Sequence, residues 1–219
     1  TRRGSQFILG LKITPPYSLI KGTTDAQYAQ MTTSEKYNLL EYHKWKFSGK
    51  VFTPLSADSK LVLMARAEFG YLGHYNKNVK SPFESFYMGG DGMSSYSSYS
   101  TEYIAMRGYQ SGSLTPYDPA TGRNMGYVYN KFTMELRYPI ALEQNATIWA
   151  LAFVEAGNCF ADIRDYNPFK LKRSAGVGVR LFLPMFGLMG IDWGWGFDPI
   201  NGSTQYGGSQ FHFVLGQEL

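Results

Sequence analysis

The chain has 219 residues and carries 21 Lys and Arg against 17 Asp and Glu, a net charge too small and too scattered for a nucleic-acid-binding surface. Charged residues make up 17%, aromatics 16%, and glycines number 24, where soluble domains carry roughly 25% charge; this balance suits strands with one face in lipid. No run approaches the roughly 18 apolar residues of a spanning helix. If the chain crosses a membrane it does so as a β-barrel, because lipid satisfies no backbone hydrogen bonds.

In chain order the elements show themselves by period-two alternation, which a strand produces and a helix does not. Residues 5–13 set Phe7, Leu9, Leu11 and Ile13 against Gln6, Gly10 and Lys12, with Ile8 the exception. Around 44–51, Trp45, Phe47 and Val51 oppose Lys44, Lys46 and Lys50. In 61–71 a row from Leu61 to Tyr71 opposes Arg66 and Glu68, and in 131–138 Phe132, Met134, Leu136 and Tyr138 oppose Lys131, Thr133, Glu135 and Arg137. Residues 146–157 alternate more weakly. In 173–183 Val177, Val179 and Leu181 oppose Gly176, Gly178 and Arg180, and in 187–198 Ile191, Trp193, Trp195 and Phe197 oppose Asp192, Gly194, Gly196 and Asp198. A last, weaker strand falls at 210–217.

The connections between these strands alternate long and short without a miss. They span about 15–36, 54–58, 76–126, 139–145, 159–172, 184–186 and 199–209. Outer-membrane barrels show this asymmetry of short turns and longer external loops. Pro54, Pro139 and Pro184 fall at the short ends, where a missing N–H breaks no ladder. A soluble barrel or sandwich also alternates, but the second face here is made of Gly, Ser, Asp and Arg, a poor dry core and a suitable wet lumen. The expected fold is all-β: an antiparallel transmembrane β-barrel of about eight strands, spanning 1–219.

Chemistry is sparse. His43, His74 and His212 have no ligand spacing to one another or to the single Cys159, so no metal site is expected. There is no nucleophile elbow, P-loop or dinucleotide fingerprint, and no enzyme activity or cofactor is expected. The chain starts at Thr1 with no initiator Met or leader pattern, and further chain upstream is expected.

The connection 76–126 is about four times the roughly 12–15 residues beyond which loops become uncommon, and it is expected to be functional or disordered. It holds Gly89-Gly90-Asp91-Gly92, a Ser/Tyr-rich stretch from Ser94 to Tyr103, and then Met106-Arg107-Gly108-Tyr109. Glu135 lies on the polar face of its strand, and Glu155 shares a face with Phe153 and Trp149. Read alone, these residues leave two arrangements open. Arg107 reaches both carboxylates, or it sits on a solvated loop tip while the two Glu line a wet pore.

Here the sequence resembles the BamA superfamily of outer-membrane β-barrel assembly factors. Met106-Arg107-Gly108-Tyr109 resembles the family's Val-Arg-Gly-aromatic loop signature. Met134-Glu135-Leu136-Arg137-Tyr138-Pro139 resembles the strand after that loop, and Phe153-Val154-Glu155-Ala156-Gly157 the next strand, with Glu in place of Asp. Phe211-His212-Phe213-Val214-Leu215-Gly216 resembles the family's last strand, although this chain ends at Leu219 rather than on an aromatic residue. The resemblance implies that these strands are the C-terminal half of a 16-stranded barrel. It also implies that the loop turns into the lumen, and that Arg107, with Gly108 and Tyr109 beside it, pairs with Glu135 and Glu155. An eight-stranded barrel, filled by its own side chains, has no room for such a loop. If Arg107 is locked to the wall, exchanging the charges of Arg107 and Glu155 is expected to recover more than either single change.

The resemblance further implies a role in folding and inserting other barrels, with Phe211, Phe213, Leu215 and Gly216 on a weakly paired seam strand. The partners implied are outer-membrane lipid, unfolded outer-membrane proteins and accessory assembly subunits, in the outer membrane of a Gram-negative, Bacteroides-type bacterium. A polypeptide-secreting transporter of the same superfamily and a porin-like passive channel are the alternatives.

Overall fold

The computed structural model describes residues 3–36, 40–76, 80–93, 101–119, 122–143 and 145–216. The Ser/Tyr-rich stretch from residue 94 to residue 100 and the terminal Leu219 lie outside them. Strand β1 is Gly4–Ile13, followed by short helices α1 (Tyr17–Lys21), α2 (Asp25–Gln30) and α3 (Thr33–Lys36). Strands β2 (His43–Pro54) and β3 (Val62–Gly73) precede the long loop. Within that loop lie four short pieces: β4 (Phe86–Met88), β5 (Glu102–Ile104), β6 (Tyr117–Asp118) and β7 (Arg123–Asn124). The remaining long strands are β8 (Val128–Leu142), β9 (Thr147–Phe160), β10 (Lys172–Leu183), β11 (Gly187–Pro199) and β12 (Tyr206–Leu215).

Eight long strands form one antiparallel sheet in the order β1-β2-β3-β8-β9-β10-β11-β12. Each strand lies beside its sequence neighbour, as short antiparallel turns dictate. Strand β8 continues through Pro139 to Leu142, beyond the expected turn, because the register shifts between Pro139 and Ala141. A bulge there accommodates the proline's missing N–H. Among the described residues β1 and β12 each pair with one neighbour, so the sheet has two free edges. Ile8 and Gly10 of β1 and Phe213 and Leu215 of β12 line a single cavity of about 640 Å³, so the sheet curls until its edges face each other.

The alternation sorts the two faces by chemistry. Trp45, Phe47, Phe132, Trp193 and Trp195 are all at least 40% exposed on the outer face, where an isolated soluble protein would bury them. Phe69 shares this face and is half-buried, because the Tyr166 ring stands edge-on to it at 5.6 Å. The inner face is buried, and what buries it is the long loop. Phe86, Met88, Ile104, Met106 and Leu114 of the loop form an apolar cluster with Leu72, Tyr129 and Cys159 of the wall. The face expected to line a wet lumen is therefore largely covered by the loop, apart from that cavity. Gly194, Gly196 and Gly207 on this face let the loop backbone approach.

Candidate functional site: where the loop meets the wall

Antiparallel register places the carboxylates. Glu135 stands opposite Phe153, and Thr133 opposite Glu155, so the two glutamates are diagonal neighbours on the inner face. On β11, Asp192 stands opposite Gly178, whose missing side chain leaves the carboxylate its room: a Cβ there would lie 1.7 Å from Asp192 Oδ1. Arg180, one diagonal step away, grips Asp192 with two parallel bonds of 2.6 Å each.

Arg107 enters this group from the loop, with its side chain wholly buried. Its Nη2 donates to Glu135 at 2.7 Å and to Glu155 at 2.8 Å, and its Nη1 donates to Asp192 at 3.2 Å. Its backbone N–H donates to the second oxygen of Glu155 at 2.9 Å, and the guanidinium lies 3.6 Å over the Phe153 ring. Only a planar, five-donor group can span three carboxylates in this way. The acids also have partners of their own. Lys131 lies 3.1 Å from Glu155, Arg137 bonds Glu135, and Arg180 bonds Asp192. The result is a wall already neutralised strand by strand, into which the loop inserts one further cation.

Gly108 and Tyr109 continue the contact. Gly108 has φ +82°, and its added Cβ would lie 2.8 Å from Gly196 N and from Trp195 C. A Cβ on Gly196 or on Gly207 would in turn come within 2.5 Å of Gly108 O. Bare backbone thus meets bare backbone, which only glycine permits on both sides. The Gly108 N–H donates to His212 Nε2 at 2.8 Å, reaching the last strand. The Tyr109 hydroxyl donates to Arg173 O at 2.8 Å and accepts from Asp198 N–H. Burial, chiefly, pushes that phenol up to about 12.

The structure thus brings Arg107, Gly108, Tyr109, Glu135 and Glu155 together. Phe211, Phe213, Leu215 and Gly216 lie apart from them on or just beyond β12, exposed. Sequence reasoning missed Asp192, Arg180, Lys131 and His212. Each stood on the polar side of an alternating strand, a signal that gave the face and not the depth.

A second contact of opposite sign lies at the other end of the sheet. The Lys44 ammonium, fully buried on β2, donates to Glu84 Oε2 at 2.9 Å and to Glu84 O at 2.8 Å, and lies 2.8 Å from Glu102 Oε2. Lys12 adds a bond to Glu84, and Lys46 pairs with Glu102. Here the loop supplies acids and the wall supplies bases. Burial works against both carboxylates, but the lysine bonds outweigh it and hold them below their ordinary range. Because the folded values are depressed, the contact stabilises the loop above the unfolded carboxylate pKa of about 4.3 and is lost as pH falls through the lower folded values. The protection of the amides at residues 102–104, meaning their exchange rate relative to the intrinsic rate at each pH, is accordingly expected to be flat between about pH 5 and 8 and to fall below about pH 4. Loss of protection already at pH 6 would show that these carboxylates do not control the loop.

The Omp85 superfamily domain matches residues 22–219. The chain belongs to the Omp85 superfamily. The fold agrees: BamA from Haemophilus ducreyi lacking POTRA domains 1–3 superposes with a TM-score of 0.61 at 18% identity, over 97% of this chain and 38% of that one. The chain therefore spans well under half the length of the solved structure it matches. No curated protein matches by sequence. Membership of the Omp85 superfamily carries an outer-membrane β-barrel fold and a place in a family of barrel assembly and transport.

Proposed function

We propose that this chain is the C-terminal part of the barrel of an outer-membrane assembly subunit, one that folds and inserts other β-barrels without making or breaking a covalent bond. The observation that carries this reading is the free edge of β12 beside an interior occupied by an anchored loop. A free edge offers N–H and C=O groups to which an incoming strand can add. The strands here would then be half of a 16-stranded barrel, with β12 at the seam and the contacts of Arg107 locking the loop to the wall. Its partners would be outer-membrane lipid around the aromatic face, unfolded barrel proteins at the edge, and accessory assembly subunits. The buried, apolar loop core weighs against an open passive channel, since a pore needs a wet path.

The reading is tested by placing the only copy of the full protein under a repressible promoter in its own host. On depletion, outer-membrane barrels should fall together while inner-membrane proteins hold their level. Loss of one secreted polypeptide with barrel levels unchanged would replace this reading with transport.

A further inference from the structure

The turn Gly89-Gly90-Asp91-Gly92 makes none of the Arg107 contacts, yet it is built onto the same piece of loop. Gly90 N–H donates to Tyr109 O at 3.0 Å, and Met106 N–H donates to Gly90 O at 2.9 Å. The turn is thereby held on both sides of Arg107-Gly108. Gly89, Gly90 and Gly92 have φ of +124°, +76° and +78°, and a Cβ on Gly89 would lie 2.4 Å from Gln110 O. Such a backbone is open to glycine and strained for other residues. What the turn presents is the Asp91 side chain. One carboxylate oxygen accepts from Met93 N–H at 3.0 Å, which orients it, and the other accepts from Phe213 N–H at 3.2 Å.

That amide belongs to the free edge of β12. Just beyond the strand, Gly216 N–H donates across to Leu188 O at 2.7 Å. Amides alternate sides along a strand, so those of Leu215, Phe213 and Phe211 turn away from β11. A strand adding to this edge would bring a backbone carbonyl to the Phe213 N–H. Asp91 already occupies that place. One residue earlier, His212 is held from the inner face by the Gly108 N–H. The loop thus grips two consecutive residues of the last strand, one by its side chain and the other by its edge amide.

We propose that Asp91 is a displaceable cap on the β12 edge, so that an extended strand of an unfolded barrel protein adds there only as Asp91 leaves. This rests on the edge-templating reading above and adds a regulation of it. A carboxylate suits the role. It satisfies the amide while the edge is idle, and its charge discourages casual pairing of edges. It offers one bond where a well-matched strand offers a ladder, so a short or badly registered segment does not displace it and a full strand does.

The test uses the full protein in lipid vesicles and a synthetic peptide copying Tyr206–Leu215 with a photo-crosslinking residue at one end. Crosslinks are mapped by mass spectrometry, and amide exchange at Phe213 is followed in parallel. Asp91→Ala is expected to raise crosslinking to β12 about fivefold, the loss of one modest hydrogen bond, and to speed exchange at Phe213. Asp91→Asn, which keeps an acceptor oxygen, should stay nearer the wild type on both measures, and it also serves if the alanine variant folds poorly. Equal crosslinking to β12 in wild type and both variants would overturn the cap and leave edge templating standing. A peptide that never reaches β12 in any of them would overturn both.

Discussion

Arg107→Ala is expected to destabilise the docked loop by about 3 kcal/mol, the lower end of the range for removing one member of a buried ionic group. The lower end applies because each wall carboxylate keeps a cation of its own: Lys131 for Glu155, Arg137 for Glu135 and Arg180 for Asp192. What is lost is the bridge between three strands and the filled space over Phe153. Arg107→Lys should recover a part, since one ammonium cannot reach three carboxylates. The charge exchange expected to rescue from sequence alone, Arg107→Glu with Glu155→Arg, should now fail. The guanidinium moved to the wall would face Lys131, whose ammonium lies 3.1 Å from the present carboxylate, and the carboxylate moved to the loop would face Glu135 and Asp192. The readout is the temperature at which the barrel loses its fast-migrating form on semi-native gels, together with outer-membrane protein levels in cells carrying only the variant. An Arg107→Ala protein that matched the wild type in both would mean the loop does not depend on this contact.

The second large effect is expected at Gly108. Its positive φ costs a non-glycine residue about 1–2 kcal/mol, and a Cβ pressed against the β11 backbone adds overpacking of about 1–3 kcal/mol. Gly202→Ala provides the control, because it has a similar φ of +74° and nothing within 4 Å of the added carbon. Gly108→Ala should therefore lower the unfolding temperature clearly further than Gly202→Ala. Equal effects would show that the loop backbone does not rest against β11 and β12.

Eight strands and their outward faces could be read in the sequence because alternation is a local property. Trp193 and Trp195 turn outward for the same reason that Asp192 and Gly194 turn inward. Depth was not legible. Nothing in the residue type distinguishes Asp192, wholly buried against Arg107 and Arg180, from Asp198, which pairs with the exposed Arg173 at the strand end. The lysine contact was hidden for another reason: Lys44 and Glu84 are 40 residues apart and neither sits in a motif. The helices between β1 and β2 and the short strands of the loop are too brief for a period to show. The glycines of β11 and β12 were read by composition, which suggested water; their actual neighbour is the loop backbone, a tertiary partner no local window contains.

The two charged contacts also differ in when the chain can make them. Lys12 and Lys44 stand opposite each other on β1 and β2, so Glu84 needs only that one strand pair to dock against. Arg107 needs more: Glu135, Glu155 and Asp192 stand on β8, β9 and β11, and His212, which accepts from the Gly108 N–H, on β12. A contact that needs several non-neighbouring strands at once forms late, after the entropy of assembling them has been overcome. The acidic end of the loop can therefore settle against β1 and β2 first, holding the arginine end over an interior whose far wall is not yet built. Insertion of the guanidinium then requires β8, β9 and β11 in register at once, so a single side chain reports that the last strands have arrived in the right order.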